Sequence, residues 1–479
     1  MRVAIIGAGF SGIAAGVALR RAGIEDFVIF ESAPGIGGTW WYNRYPGAEV
    51  DLESHIYSYS FARADWSGTH VGWQELQAYL EQVVVTQGLS QHIRFSTTVA
   101  SAQWRDGEGY TVTTTDGQSE SFTAVISAVG FLNIPLIPPF ARDASEFAGV
   151  VCHTSRWPEG LDMSGKDVAV VGTGSSAVQI VAEATDVAGT VKIFQLEPNW
   201  ILPKNSRRFG SLERRLNRLT PVYRWRRLRL YVGYDRRQFR SSHARADGHS
   251  NKQRAELARR FLSKSLADRP DLLELATPDF AFEARRTVMS DTYYECLKRP
   301  HVTLVPHGVK GLTGTGVLDA NGDEHRFDIV VLATGFDAAN YLANYSVTGV
   351  DDQDLHRTWA GEPDAFLGMM VPGFPNFFMM YGPNTNASPL VHFYESQAAF
   401  IAGVLADLPG VGTPAVEVKR WAYDAYNEWL QSRLSKTVWA TTTSYFTAGT
   451  GKIVSQWPDN STIYRLLTRL ARRVALTRR

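Results

Sequence analysis

The chain has 479 residues, of which 44% are hydrophobic and 20% charged, and its formal net charge is +1. This length predicts two or three globular domains, and the near-zero charge excludes a global electrostatic attraction to nucleic acid or membrane. The two cysteines, Cys152 and Cys296, are far apart and form no CxxC motif, so we expect no disulfide framework, metal site or dithiol redox centre. That cysteine usage favours a reducing, cytoplasmic location. We also expect no signal peptide, because the first strand begins almost at residue 1, and no spanning helix.

The first predicted unit is a strand over 2–7, a helix over 10–22 and a strand over 26–31. The glycine-rich loop Gly7-Ala-Gly9-Phe10-Ser11-Gly12 joins the first strand to the helix, and Glu31 ends the second strand. Such a loop with an acid about 20 residues later is typical of dinucleotide binding. Its glycines allow a tight turn, the helix N-terminus attracts the pyrophosphate, and the acid accepts ribose hydroxyls. A glycine turn without a nucleotide is the alternative.

Alternating segments around 93–129, such as Ile93-Arg-Phe and Tyr110-Thr-Val-Thr-Thr, predict a small antiparallel sheet that ends at 124–130. The proline-rich segment 132–140 indicates a linker.

A second unit repeats the first, with a strand over 167–172, a helix over 175–185 and a strand over 190–196. Its loop is Gly172-Thr-Gly174-Ser175-Ser176-Ala177, and a strand within 328–336 closes the unit. Two such loops indicate two dinucleotides, and therefore a redox enzyme that passes electrons from one to the other.

Residues 204–245 carry fourteen Lys and Arg against two acids, with leucines at helical spacing. We interpret them as a solvated basic helical insert; a membrane-surface face or a phosphate-holding role stays open. The last predicted helix, 463–479, is also basic and amphipathic. Neither segment matches a nucleic-acid-binding module. Aromatic residues concentrate at 429–457, where we expect core packing, with a substrate pocket as the alternative.

Two longer patterns identify a family. Phe147-x-Gly149-x-x-x-His153-x-x-x-Trp157-Pro158 lies between the two loops, and 37–51 reads Gly-Gly-Thr-Trp-Trp-Tyr-Asn-Arg-Tyr-Pro-Gly-Ala-Glu-Val-Asp. Over nearly its whole length the chain resembles the type I Baeyer–Villiger monooxygenases of the flavin-containing monooxygenase superfamily. The resemblance implies FAD, NADPH, O2 and a ketone substrate. It implies oxygenation of the ketone to an ester or lactone through a C4a-peroxyflavin.

The expected fold class is α/β, with two Rossmann-like dinucleotide-binding domains and a helical insert. The expected boundaries are 1–138 and 337–479 for the FAD-binding domain, 139–205 and 280–336 for the NAD(P)H-binding domain, and 206–279 for the insert.

Arg286 lies in a segment similar to the family's Lys-Arg pair seven residues before a Tyr-Tyr, which implies that it is the fixed cation beside the flavin. Asp51 is its implied partner, and an ordinary structural ion pair is the alternative. His153 is implied to lie at the junction of the nucleotide domains rather than to act as a base. The residues expected to bind the cofactors are Gly7, Gly9, Phe10, Ser11, Gly12, Glu31, Gly38, Thr39, Trp40, Asp51, Tyr57, Gly172, Gly174, Ser175, Ser176, Glu197, Arg285 and Asn384.

One departure from the family concerns the coenzyme. Where the family has Phe-Gln-Arg-Ser/Thr-Pro to hold the 2′-phosphate of NADPH, this chain has Phe-Gln-Leu196-Glu197-Pro. Glu197 repels a phosphate and suits a free ribose hydroxyl, which favours appreciable use of NADH. Arg285 stays a candidate for the phosphate.

Two other functions stay open: S- or N-oxygenation by the same flavin chemistry, and an NAD(P)H oxidase that releases peroxide. A disulfide reductase is excluded because the chain has no active-site dithiol.

Overall fold

The computed structural model describes residues 1–408 and 414–478. Its strands are β1 (Val3–Ile6), β2 (Phe27–Phe30), β3 (Ile93–Arg94), β4 (Val99–Arg105), β5 (Gly109–Thr114), β6 (Ser119–Phe122), β7 (Ala124–Ser127), β8 (Val150–His153), β9 (Asp167–Val171), β10 (Thr190–Phe194), β11 (Ile201–Leu202), β12 (Val288–Met289), β13 (Val302–Val305), β14 (Val309–Leu312), β15 (Gly316–Asp319), β16 (Glu324–Arg326), β17 (Ile329–Leu332), β18 (Ser346–Thr348), β19 (Phe377–Met379), β20 (Val416–Val418) and β21 (Leu476–Arg478). Its helices are α1 (Phe10–Arg21), α2 (Thr39–Tyr42), α3 (Trp73–Thr86), α4 (Ser175–Val187), α5 (Ser211–Asn217), α6 (Thr220–Gln238), α7 (His249–Ser265), α8 (Pro270–Leu275), α9 (Tyr293–Leu297), α10 (Leu355–Trp359), α11 (Leu390–Ala406), α12 (Arg420–Leu434) and α13 (Ser461–Val474).

The first sheet has the strand order β19-β7-β1-β2-β3, and every pair in it is parallel. Strand β1 is apolar throughout and fully buried, as a central strand covered on both faces must be. The first glycine-rich loop follows it and leads into α1, which packs against α11. Because β19 lies at 377–379, the C-terminal half of the chain completes this sheet.

The second sheet has the order β13-β10-β9-β17-β8 and is also entirely parallel. The second glycine-rich loop joins its central strand, β9, to α4. The prediction of two Rossmann-like units is therefore confirmed. Helices α5 to α8 lie in the chain between β10 and β13, at the predicted helical insert, while the exact domain boundaries stay a prediction.

The antiparallel sheet consists of β4, β5 and β6, with β18 added in parallel to β4. The assignment of Ile93 to that sheet was wrong. Strand β3 extends the first parallel sheet instead, where Ile93 pairs with Ile29 and buries its side chain. A three-residue alternating run is too short to show which neighbouring strand it joins.

A buried arginine is one of the contacts that attach the helical insert to the first domain. Arg227 of α6 donates to the carbonyl oxygens of His55 and Ser58, at 2.5 and 2.8 Å, and to the Ser58 hydroxyl at 2.9 Å. Its donors replace the water that a buried guanidinium loses. One face of α6 is therefore tied to the body of the protein.

The predicted C-terminal helix is shorter than expected. Helix α13 begins after Asn460, whose side-chain oxygen accepts a bond from the N–H of Ile463 at 3.0 Å, and it ends at Val474. The prediction was wrong for 476–478, which form β21 and pair antiparallel with β20; residue 479 lies outside the described residues. None of the helices in the described ranges is long and apolar enough to cross a membrane.

Candidate active site

A cavity of about 1580 Å³ is lined by both glycine-rich loops. Asp51, Arg285 and Arg286 line the same cavity, together with aromatic side chains from the C-terminal half. Ligands held by the two loops would therefore share one cavity, which is the arrangement that electron transfer between two dinucleotides requires.

Two glycines of the first loop are required by the fold itself. Gly7 has φ +106°, and a Cβ there would lie 2.7 Å from the carbonyl oxygen of Ala128. A Cβ on Gly12 would overlap the carbonyl oxygen of Gly7. Both positions hold α1 close to the central strand.

Gly9 serves a different purpose, because its missing side chain leaves space in the cavity. A Cβ there would lie 3.5 Å from the Cα of Gly38, an ordinary contact. Helix α1 begins at Phe10 without a side-chain cap, so its first N–H groups are available to an anion. The Ser11 hydroxyl donates to the Ala128 carbonyl at 3.3 Å. The geometry fits a pyrophosphate at Gly9.

Glu31 is a buried carboxylate at the end of β2 that lines the same cavity. Its two oxygens accept bonds from the N–H groups of Ala8 at 2.7 Å and Ala33 at 2.8 Å. Burial raises the pKa of Glu31, and these backbone bonds oppose that rise. Oε1 also accepts a bond from the Ser32 hydroxyl at 3.3 Å, whereas Oε2 keeps a free lone pair for a ribose hydroxyl. The first unit therefore fits the FAD that the resemblance implies.

The segment after Gly37 forms one wall of the cavity. Gly38 has φ +56°, and Thr39 begins the short helix α2. Trp40 donates its indole N–H to the Tyr57 hydroxyl at 3.1 Å, and the two rings meet edge to face. Burial raises the pKa of Tyr57 to about 12. Thr39, Trp40 and Tyr57 all line the cavity, so the predicted residues of this segment are brought to one place.

Arg286 lies at the centre of the site. Its Nη2 donates to Asp51 Oδ2 at 2.9 Å, and the Tyr445 side chain lies near enough to interact with the guanidinium electrostatically. The Tyr445 and Asp51 oxygens hold the pKa of Arg286 above its ordinary value, and burial raises the pKa of Tyr445. Arg286 is a permanent cation in a fixed pose that faces the cavity.

Asp51 also connects the two nucleotide units. The Ser175 hydroxyl at the start of α4 donates to Asp51 Oδ2 at 3.4 Å. The buried Lys204 binds Glu49 at 2.7 Å and lies 4.0 Å from Asp51 Oδ1. The sequence patterns did not single out Lys204 or Glu49, and they gave no specific role to Tyr445. Glu49 stands inside the second pattern, but no spacing links Lys204 or Tyr445 to it.

The second loop repeats the geometry of the first. Gly172 has φ +118°, and a Cβ there would lie 2.6 Å from the carbonyl oxygen of Ala333. A Cβ on Gly174 would meet no atom within 4 Å, and α4 begins after it without a side-chain cap. Ser175 and Ser176 stand in the uncapped first turn and line the cavity. This loop fits a second pyrophosphate.

The duplicated fold shows how the two units differ. In each, the first loop glycine donates its N–H to the last residue of the second strand, Phe30 or Phe194. The residue that follows this phenylalanine is Glu31 in the first unit and Gln195 in the second. Glu197 lies two residues after Gln195. Gln195 is buried and donates to a carbonyl of α8 at 2.7 Å. The second unit has no carboxylate at the position where the first holds Glu31.

Glu197 forms an ion pair with Arg285 instead. Their side chains are 48% and 27% exposed, so the pair is open to solvent and to a ligand. Burial lowers the pKa of the Arg285 guanidinium, which stays protonated. Leu196 is 81% exposed and lines the cavity beside them. Arg285, which we expected near the coenzyme, is thus already paired with Glu197.

His153 is buried and satisfied. Its Nδ1 accepts from the Ser155 N–H at 3.1 Å, and its Nε2 lies 3.0 Å from the carbonyl oxygen of Gly335. Burial lowers its pKa to about 4, so the ring is neutral near pH 7. Ser155 and Arg156 line the cavity, whereas His153 does not. The geometry gives His153 no access to a substrate.

Asn384 lies behind the cavity wall rather than in its lining. Its side-chain N–H groups donate to the carbonyls of Ile453 at 2.9 Å and Gln456 at 3.2 Å. Its neighbour Asn386 does line the cavity. Asn384 braces the chain segment that carries the wall.

The fold and the shared cavity define a protein with two dinucleotide-binding units, and comparisons with known proteins agree. Residues 4–209 match the family model described as pyridine nucleotide-disulphide oxidoreductase. A Baeyer-Villiger monooxygenase of Pseudomonas aeruginosa is 34% identical over 98% of this chain and 89% of its own length. An oxidized steroid monooxygenase bound to NADP superposes with a TM-score of 0.89 at 28% identity, over 99% of this chain and 98% of that one. OTEMO in complex with FAD and NADP gives 0.89 at 25% identity, over 100% and 99%.

The chain belongs to the Baeyer–Villiger monooxygenases. Its match to the disulphide oxidoreductase model lies in the part that contains both glycine-rich loops. The two cysteines, Cys152 and Cys296, are both free and buried, in different elements, so they form no reactive dithiol.

Proposed function

We propose that this protein catalyses Baeyer–Villiger oxygenation: it inserts one atom of O2 beside the carbonyl carbon of a ketone and forms an ester or lactone. NADPH supplies the electrons. The observation that carries the proposal is the position of Arg286, held by Asp51 and Tyr445 in a cavity that both glycine-rich loops line.

The cofactors are FAD and NADPH; the related OTEMO structure contains FAD and NADP. FAD, when bound, accepts hydride and activates oxygen. The uncapped start of α1 at Gly9 would hold its pyrophosphate, and Glu31 its ribose. The uncapped start of α4 at Gly174 would hold the pyrophosphate of NADPH.

Arg286 stabilises the negative charge that develops on oxygen during the transfer. A fixed donor in a site that excludes water typically lowers the activation barrier by about 3–4 kcal/mol, which raises the rate by about two to three orders of magnitude. Asp51 fixes the direction of the guanidinium, and Ser175 fixes Asp51. Tyr445 also lies near the guanidinium and helps to position it.

The reactants are a ketone, O2 and NADPH, and the proposal includes no nucleic acid. A cytoplasmic location is part of the proposal and rests on two unpaired thiols, Cys152 and Cys296.

The test uses Arg286→Ala, with Arg286→Lys as the charge-preserving comparison. We expect Arg286→Ala to keep FAD and to consume NADPH, while ester formation falls about two to three orders of magnitude. NADPH oxidation would then yield hydrogen peroxide. The readouts are flavin content, NADPH consumption, peroxide and ester.

Ester formation by Arg286→Ala within about threefold of the parent, a change far below the effect of one lost donor, would refute the role of this cation. A parent that converts no ketone but forms S- or N-oxides would refute the proposed reaction. Peroxide as the sole product of the parent would indicate an oxidase.

A further inference from the structure

Exposed apolar side chains are concentrated in two helical segments of the chain. Of the twenty large apolar side chains exposed in the described ranges, ten lie in two short segments, 211–239 and 461–474. Soluble proteins rarely expose apolar side chains in such concentration without a binding role.

On α6 the exposed apolar side chains form one stripe. Trp225 is 61% exposed and Leu228 59%, and Val232 follows at the same helical face. The opposite face of α6 carries the buried Tyr223 and Tyr234. The stripe therefore points away from the body of the protein.

On α13 the pattern is repeated. Leu466, Leu470 and Val474 stand on the exposed face at a spacing of four residues. The opposite face, with Tyr464 and Ala471, is buried. This amphipathic helix thus turns apolar side chains towards solvent as well as towards the core.

The two helices adjoin. The Tyr231 hydroxyl of α6 lies 2.6 Å from the Thr462 hydroxyl of α13. Asp235 of α6 accepts bonds from the N–H of Thr462 and the hydroxyl of Ser461, at 3.1 and 3.2 Å. We call the two exposed stripes, together with the arginines beside them, the α6–α13 surface.

Unpaired arginines border both stripes. On α6, Arg224, Arg229 and Arg236 are exposed and form no ion pair with any residue of the described chain. The same holds for three exposed arginines of α13, Arg465, Arg469 and Arg473.

The acids of this region are already engaged. Glu213 pairs with Arg207 and Arg226, and Asp235 caps α13. The border of the α6–α13 surface therefore keeps a net positive charge.

We propose that the α6–α13 surface docks the enzyme on an anionic lipid bilayer. Apolar side chains with a tryptophan at the centre and arginines at the border are the chemistry that recognises anionic headgroups above acyl chains. A second copy of the chain fits poorly, because a two-fold contact would place arginines against arginines. The proposal does not depend on the reaction proposed above.

Docking there would place the membrane close to the active-site cavity. Tyr234 and Gln238, on the buried face of α6, line that cavity. The same helix would contact lipid with one face and the cavity with the other, which suits a ketone that partitions into the bilayer.

The test is flotation of the FAD-bound enzyme with phosphatidylcholine vesicles that contain about 30 mol% phosphatidylglycerol, compared with pure phosphatidylcholine vesicles, in about 0.1 M salt. We expect binding to the anionic vesicles and at least tenfold weaker binding to the neutral ones. The double change Trp225→Ser with Leu228→Ser should weaken vesicle binding roughly tenfold, because it removes the apolar side chains that would be buried in the bilayer. Arg224→Gln with Arg229→Gln should reduce it and flatten its salt dependence.

Val85→Ser is the matched control, because Val85 is 69% exposed on α3, in the first domain. Flavin content and thermal midpoint report that each variant is folded. Failure of the parent to bind anionic vesicles, equal binding to neutral ones, or full binding by the Trp225 and Leu228 variant would overturn the proposal. The proposal would also be overturned if the parent did not bind vesicles but formed a concentration-dependent dimer, and if the Trp225 and Leu228 variant abolished that dimer.

Discussion

Replacement of Glu197 by serine should raise the preference of the enzyme for NADPH over NADH. In the structure Glu197 pairs with Arg285, which lines the cavity, and the exposed Leu196 offers no donor. A 2′-phosphate must therefore displace the carboxylate from Arg285 and remain beside it. The free 2′-hydroxyl of NADH meets a ready acceptor.

The magnitude follows from three contributions. The Glu197–Arg285 pair is partly exposed, so breaking it costs about 1 kcal/mol or less. A freed arginine gains about 1.5–3 kcal/mol from a charged hydrogen bond to the phosphate. Removal of a neighbouring negative charge adds about 1 kcal/mol at solvent-like dielectric. The bond between Arg285 and the phosphate also forms in the parent once the carboxylate is displaced, so only the first and third contributions differ between parent and variant. The expected gain is therefore about 1–2 kcal/mol, or roughly 5- to 30-fold in the ratio of the second-order rate constants for flavin reduction by the two coenzymes.

The assay is the rate of flavin reduction by each coenzyme without ketone or oxygen, which isolates coenzyme selection from oxygenation. Glu197→Gln keeps the size of the side chain and should give a smaller shift in the same direction. In the double change Glu197→Ser with Arg285→Ala the gain should disappear, because the gain requires a free guanidinium.

An unchanged ratio in Glu197→Ser would refute this reasoning, since it would mean that the acid does not act on the phosphate. A full gain that persists without Arg285 would assign the phosphate to another cation.

Three further predictions concern the first glycine-rich loop, His153 and the surroundings of Arg286. Gly9→Val should fold yet purify without FAD, because its side chain enters the cavity, whereas Gly12→Ala should lower the thermal midpoint through overlap with the loop backbone. His153→Gln should leave the shape of the pH profile of kcat/KM unchanged between about pH 6 and 9, because the histidine, with a pKa of about 4, is neutral throughout. Tyr445→Phe should lower ester yield per NADPH by less than Arg286→Ala, because Tyr445 positions the cation.

Each of these has a contrary result. Full flavin content in Gly9→Val would show that the first loop does not bind the pyrophosphate of FAD. Loss of one limb of the pH profile in His153→Gln would make that histidine a proton carrier. An effect of Tyr445→Phe as large as that of Arg286→Ala would give the hydroxyl a direct part in the reaction.

The sequence predicted the two nucleotide units well because their signals are local. A buried apolar strand, a glycine turn and a helix follow one another within about thirty residues, so a short stretch of sequence contains the whole pattern. The pairing of Arg286 with Asp51 spans 235 positions and came from the family resemblance.

The predictions that failed depended on long-range pairing. Ile93 joins the first sheet through a contact with β2, and 476–478 leave the helix to pair with β20. Neither partner is visible in a local pattern. Tyr445 reaches Arg286 only because the C-terminal half of the chain folds back over the cavity, and the Glu197–Arg285 pair joins two segments separated by the whole helical insert.

The most direct test of the proposed reaction is turnover of a ketone with NADPH under ¹⁸O₂, with mass analysis of the product. If the enzyme performs Baeyer–Villiger oxygenation, the ester carries one ¹⁸O atom as its ring or bridging oxygen, while the carbonyl oxygen keeps the isotope of the ketone. An unlabelled ester, or NADPH consumption that yields labelled peroxide and no ester, would contradict the account.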